Sequence, residues 1–229
     1  MLYYNVKRIF IDYQGFANLS SLKVPKNASN PLILTDIQLN VLNAFYKNNR
    51  TVVCKSRQVG ASTTILFYAI CHCFGHPGST VALIPPAQHF GRHYVDTVRD
   101  LFNGIPNPFV SITNSHINFH KGGHIEIGSS PNNFRGMNID TFIADEFASH
   151  QQDTEIYDFI RNYKRPVKEI YVSTPSFSSG EFHNLWNISL GSEKIRMESP
   201  GINPVRDIKR KRQERSRDFV KKCEEFFTT

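Results

Sequence analysis

Thr51-Val52-Val53-Cys54, running into Lys55-Ser56-Arg57-Gln58-Val59-Gly60-Ala61-Ser62-Thr63, is the stretch that decides the fold. Its first four residues form a short β-branched run of the kind that suits a buried parallel strand. From Ser62 to Phe74 the chain is rich in apolar residues and long enough for a helix. The loop between them therefore sits where backbone N–H groups and a helix dipole favour phosphate. It departs twice from the G-x-x-x-x-G-K-[ST] phosphate-loop pattern, because the first glycine is absent and Ala61 stands at the lysine position. Catalysis needs a cation at the β- and γ-phosphates, and Lys55 at the loop's start or Arg57 within it could supply one. Ser62 still offers its hydroxyl to Mg²⁺. Taken alone, the segment leaves an ordinary basic strand-to-helix turn as the lesser alternative.

The flanks extend the pattern. Upstream, residues 1–33 read as an irregular N-terminal arm ending in Lys26-Asn27-Ala28-Ser29-Asn30-Pro31. Thr35 or Asp36 then caps a helix whose apolar positions Ile37, Val41, Leu42 and Phe45 recur at helical spacing, and Lys47-Asn48-Asn49 ends it. Downstream, Thr80 to Ile84 reads as a strand and Ala87 to Phe102 as a helix. Ile117–His120 and His124–Ile127 read as a hairpin about Lys121-Gly122-Gly123. Thr141–Ala144 and Ile170–Val172 are further short strands opening into polar residues. Strands alternating with helices predict an α/β fold, a mainly parallel sheet covered on both faces, with ligands beyond the strands' carboxyl ends.

On that edge Thr141-Phe142-Ile143-Ala144-Asp145-Glu146 ends an apolar strand in two adjacent carboxylates. Asp145 can hold Mg²⁺ and Glu146 can polarise the attacking water. Adjacent acids at a strand end are common, and their order after a phosphate loop is what gives this pair weight. The two also repel each other unless a cation is near.

Composition narrows the class. Twenty-seven Lys and Arg against twenty Asp and Glu leave a net charge of +7, which favours a polyanionic partner such as nucleic acid. There is no apolar run of about eighteen residues, as a membrane helix needs, and no secretory start. Four cysteines are too sparse for a disulfide framework. Cys71-His72-Cys73 with His76 lacks a second ligand pair and reads as buried helix cysteines. His89, His93, His116, His120 and His124 show no nucleophile-and-base pattern.

With these residues in place, a resemblance appears. Lys55 to Ser62 resembles the deviant phosphate loop of viral terminase large subunits, in the variant that carries its lysine at the loop's beginning. Phe134-Arg135-Gly136 resembles the Arg-Gly element that these motors place ahead of their acidic strand. Leu34-Thr35-Asp36-Ile37-Gln38 is similar to their adenine-reading segment, in which a glutamine amide pairs with adenine. Val172-Ser173-Thr174-Pro175 resembles their coupling motif, in which a hydroxyl senses the γ-phosphate. The matches keep family order from about residue 34 to 186.

The resemblance implies a P-loop NTPase of the additional-strand, catalytic-glutamate type, using ATP and Mg²⁺. Its core would span 34–190, and 191–229 would form a lid or linker subdomain leading to a nuclease domain. The chain leaves no room for that nuclease, so nuclease activity is not expected. Lys55, Arg135 and Glu146 are the catalytic residues implied. Gln38 and the loop residues Lys55, Ser56, Arg57, Gln58, Val59, Gly60, Ala61, Ser62 and Thr63 would contact ATP. Ser62 and Asp145 would hold the metal, and Ser173 and Thr174 would couple hydrolysis to motion. Arg135 could act in a neighbouring subunit's site, as arginine fingers do, or form a structural ion pair.

The implied partners are double-stranded DNA, other copies in a ring on the portal, the portal protein and a small terminase subunit, with no membrane. The implied location is the host cytoplasm at the procapsid. The run Lys209 to Arg217 is a solvated helix face or a DNA contact. One rival is a helicase-like ATPase, whose box Asp145-Glu146-Phe147-Ala148 resembles. The other is an assembly module that has lost catalysis, suggested by Ala61 and opposed by Glu146.

Overall fold

The computed structural model describes residues 22–24, 27–103, 109–120, 122–165, 167–175, 179–188 and 191–198. Strands β1 (Lys23–Val24) and β2 (Asn27–Pro31) pair antiparallel, so part of the expected irregular arm carries a short ladder. Asn-Ala-Ser-Asn-Pro has little strand propensity of its own. The pairing rests on tertiary anchors: Leu22, Leu32 and Leu34 are buried, and the Leu32 N–H donates to the Leu22 carbonyl at 2.8 Å.

Helix α1 (Asp36–Lys47) opens on Thr35, whose side chain and that of Gln38 close a capping box, and ends at Asn48. Next come β3 (Arg50–Lys55), α2 (Ala61–Gly75), β4 (Thr80–Ile84) and α3 (Phe90–Leu101). The expected helix over 87–102 begins late, at Phe90, because Ala87 and Gln88 spend their carbonyls on the turn N–H groups of Phe90 and Gly91. β5 (Phe109–Ile112), β6 (His116–Phe119) and β7 (His124–Ile127) follow, then β8 (Thr141–Asp145). Helix α4 (Asp153–Arg161), β9 (Lys168–Ser173), α5 (Glu181–Asn187) and β10 (Glu193–Met197) complete the described chain.

All but β1 and β2 join one eight-stranded sheet in the order β10-β3-β9-β8-β4-β7-β6-β5. The run from β10 to β7 is parallel, while β6 and β5 are antiparallel. β9 lies between the strand that enters the expected phosphate loop and the strand that ends in Asp145, the place that the resemblance implies for an additional strand. Alternation along the strands divides the core in two. Val53, Val81, Leu83, Ile143 and Val172 face α1, α2 and α3, whereas Val52, Ala82, Phe142, Ala144 and Tyr171 face α4 and α5.

Residues 191–198 sit differently from a lid, since β10 extends the main sheet beside β3. The remainder of the expected lid, with the basic run Lys209–Arg217, lies outside the described residues. At the sheet's amino edge the charges pair with each other. Arg50 and Arg161 both reach Glu169, and Arg165 reaches Asp140. The carboxyl edge is arranged otherwise.

Candidate active site

Three neighbouring strands end together there. Lys55, the last residue of β3, is 5% exposed, and its ammonium donates to Glu146 Oε1 at 2.5 Å and Thr174 Oγ1 at 3.3 Å. Glu146 follows β8 with φ of 50°, a left-handed conformation unusual for a side-chain-bearing residue. That turn swings its carboxylate across β9, where Oε2 accepts the Thr174 N–H at 3.3 Å. Ser173 Oγ accepts the Ala148 N–H at 3.1 Å, tying the end of β9 to the segment after Glu146.

Asp145 is 1% exposed, and alternation puts it on the face of Ile143, toward α2 and α3. Ser62 Oγ donates to its Oδ2 at 3.1 Å and the Tyr94 hydroxyl to the same oxygen at 2.7 Å, while the Glu146 N–H reaches Oδ1 at 2.9 Å. Burial pushes the Asp145 carboxyl above the usual range. The Lys55 charge opposes this, the Glu146 carboxylate adds to it, and the bonds from Tyr94 and Ser62 lower it. Burial, reinforced by Asp145, also raises the Tyr94 phenol.

The phosphate loop is held at both ends. The Ser56 N–H donates to the Met197 carbonyl at 3.0 Å, so β10 positions the loop's first peptide. Gln58 and Gly60 have φ of 62° and 78°, and this alternation of handedness turns the backbone toward the start of α2. A Cβ on Gly60 would stand 2.8 Å from Gln38 Nε2, so the glycine is what lets α1 approach the loop.

The residues fit Mg²⁺ and a triphosphate on two observations. A hydroxyl and a buried carboxylate form a hard oxygen donor set, and a cation would offset the desolvation of Asp145. Ser56 Oγ at the loop's entrance is buried without a hydrogen-bond partner among the described residues.

Thus Lys55, Ser62, Asp145, Glu146, Ser173 and Thr174 come together, with Gln38 beside Gly60. The Gln38 amide oxygen, the group expected at adenine, accepts from the Thr35 N–H at 2.9 Å, leaving Nε2 toward the loop. Arg57 and Arg135 are both exposed. Sequence reasoning missed Tyr94, although Tyr94, Val95, Val98 and Leu101 repeat at helical spacing and mark its face as buried. It also missed β10. Beside Glu146 a cleft of about 730 Å³ opens between Pro86, Gln88, Ser130, His150 and Gln152.

Solved structures share this fold. The ATPase domain of the large terminase from Thermus phage P74-26 superposes with a TM-score of 0.58 at 19% identity, over 81% of this chain and 87% of that one. A large terminase from another thermophilic bacteriophage, in complex with ADP, gives 0.61 at 11% identity, over 79% of this chain but only 50% of its own length. A DEAD box protein of Methanococcus jannaschii gives 0.52 at 16% identity, over 71% of this chain and 49% of that one. No curated protein sequence matches the chain. A family model described as "Terminase large subunit, T4likevirus-type, N-terminal" matches residues 52–225, the stretch that holds the phosphate loop, the Asp145-Glu146 pair and the end of β9. The chain belongs to the terminase large subunit family and matches its N-terminal part.

Proposed function

We propose that this chain hydrolyses ATP with Mg²⁺ to drive double-stranded DNA into a viral procapsid, working as a ring of copies on the portal in the host cytoplasm, with a small terminase subunit as partner. The observation that carries this reading is the convergence of Lys55, Ser62, Asp145 and Glu146 at one point of the sheet's carboxyl edge.

In the mechanism, Gln38 and the loop from Lys55 through Thr63 enclose the nucleotide, with backbone N–H groups at the start of α2 facing phosphate. Ser62 and Asp145 would hold Mg²⁺, which would supply charge neutralisation to the phosphates. Lys55 answers the empty position at Ala61 by reaching the phosphates from the loop's other end. The Lys55–Glu146 pair gives the site a resting state, because an ammonium on Oε1 keeps the carboxylate from serving as a base. An incoming triphosphate competes for that ammonium and frees Glu146. Glu146 then orients a water and takes its proton as the water oxygen bonds to the γ-phosphorus and the bond to the β-phosphate oxygen breaks. Thr174, touching both Lys55 and Glu146, is placed to pass loss of the γ-phosphate to the end of β9 and Ser173.

Turnover of labelled ATP at high protein concentration, with and without DNA, tests the reading. Glu146→Gln should bind ATP and Mg²⁺ but turn over about 10²–10³-fold more slowly, and Lys55→Ala should abolish turnover. Near-normal turnover in either variant would overturn the assignment. Binding without turnover in the wild type, under conditions that allow assembly, would mark a nucleotide-binding assembly module instead.

A further inference from the structure

Asp145 has more hydrogen-bond donors than the proposed chemistry assigns to it. A carboxylate has about four acceptor positions, two on each oxygen. On Oδ2 both are taken, one by Ser62 Oγ at 3.1 Å and one by the Tyr94 hydroxyl at 2.7 Å, and on Oδ1 one is taken by the Glu146 N–H. Among the described residues a single position remains, on Oδ1. We infer that Tyr94 is a positioning residue for the Asp145 carboxylate: by filling Oδ2 together with Ser62, it presents Oδ1 to the cation and its water shell. This rests on the proposed Mg²⁺-dependent ATPase reading.

The surroundings suit such a part. Tyr94 is 3% exposed and Asp145 1%, so no bulk water is at hand to replace the phenol as donor. A hydrogen bond to a buried charge is stronger than one between neutral groups, and losing it leaves a carboxylate lone pair unsatisfied in the interior. The phenol also comes from a different element than Ser62. Ser62 begins α2 at the phosphate loop, whereas Tyr94 lies in the first turns of α3, just after the segment 86–90 that borders the cleft beside Glu146. The orientation of Asp145 is thus set jointly by the phosphate loop and by α3. Ser62 has its own lone pairs to give to a cation, and Tyr94 is the donor free of that competing duty.

The test reads metal binding directly. Mn²⁺ affinity of the ADP complex is measured by electron paramagnetic resonance, and the affinity of a fluorescent ATP analogue is measured in EDTA, for the wild type, Tyr94→Phe and a Tyr68→Phe control that removes another buried phenol. Circular dichroism confirms that each variant is folded. Tyr94→Phe should bind Mn²⁺ about tenfold more weakly while its metal-free nucleotide affinity stays within about twofold of wild type. Tyr68→Phe should change neither. Replacing Tyr94 by 4-aminophenylalanine, which restores a donor at the para position, should recover most of the metal affinity.

The inference is overturned if Tyr94→Phe keeps wild-type Mn²⁺ affinity, if it weakens nucleotide binding equally with and without metal, or if 4-aminophenylalanine binds Mn²⁺ no better than phenylalanine. A wild type whose nucleotide binding ignores metal would overturn the ATPase reading itself, and is distinguished by needing no variant to see it.

Discussion

Gly60 and Gln38 show how closely single residues are matched at the loop. Gly60 holds φ of 78° at the start of α2, a left-handed conformation that costs an ordinary L-residue about 1–2 kcal/mol. Its missing Cβ also makes room for Gln38 Nε2. Gly60→Ala should therefore lower stability by about 1–2 kcal/mol in a denaturant titration and weaken nucleotide binding as well, since the amide must shift. If stability falls with nucleotide affinity unchanged, Gln38 plays no part in the pocket. Lys55 illustrates the same economy. Ala61 leaves the usual lysine position empty, and Lys55, proposed to meet that need, is fixed by its place as the last buried residue of β3 rather than by motif spacing.

Among the described helices, α2 contributes the most buried residues to the inner core, with Ile65, Leu66, Phe67, Ala69 and Ile70 all buried. It also carries His72, whose Nε2 is buried without a partner among the described residues. Burial, helped by the neighbouring His76, lowers the His72 pKa from its ordinary 6.5 to about 4. The folded state therefore binds fewer protons than the unfolded state between those values. Stability contributed by neutral His72 is complete above about pH 6.5 and falls as the pH drops toward 4. Going from pH 7 to pH 5 should cost about 1–2 kcal/mol from this group. In urea melts at the two pH values, His72→Gln should flatten the difference by that amount, and an unchanged slope would mean that water reaches the ring. Cys71 and Cys73 on the same helix are buried, and burial raises both thiols, which makes them poor nucleophiles at neutral pH.

The whole molecule leaves Arg135 facing outward. It follows the short 3₁₀ turn Pro131–Phe134, anchored by fully buried Phe134, and is exposed. A cation held this way, in a chain proposed to act as a ring, is suited to enter a neighbour's site. Arg135→Ala should cut turnover by about 10³-fold while leaving nucleotide affinity intact. Mixing Arg135→Ala with Glu146→Gln chains should restore activity, because some interfaces then pair an intact site with an intact arginine. If the mixture never exceeds the sum of its components, while wild-type chains assemble and turn over, Arg135 acts within its own chain or only structurally.

By itself the sequence determined the parallel α/β class, the span of the phosphate loop and the position of the acidic pair, because these rest on local facts: β-branched runs, a helix start and two carboxylates at a strand end. Tertiary structure decided everything that needs two distant segments to meet. Glu193–Met197 carries a charged, unremarkable sequence, and only pairing with β3 makes it a strand that holds Ser56. β1 and β2 likewise depend on Leu22 being buried by the rest of the core. Tyr94 and Asp145 lie far apart in the chain, and their bond exists because α3 packs on the face that strand alternation gives to Asp145. Local propensity is written in neighbouring residues, whereas hydrogen bonds across a sheet edge are set by packing, which no short window of sequence contains.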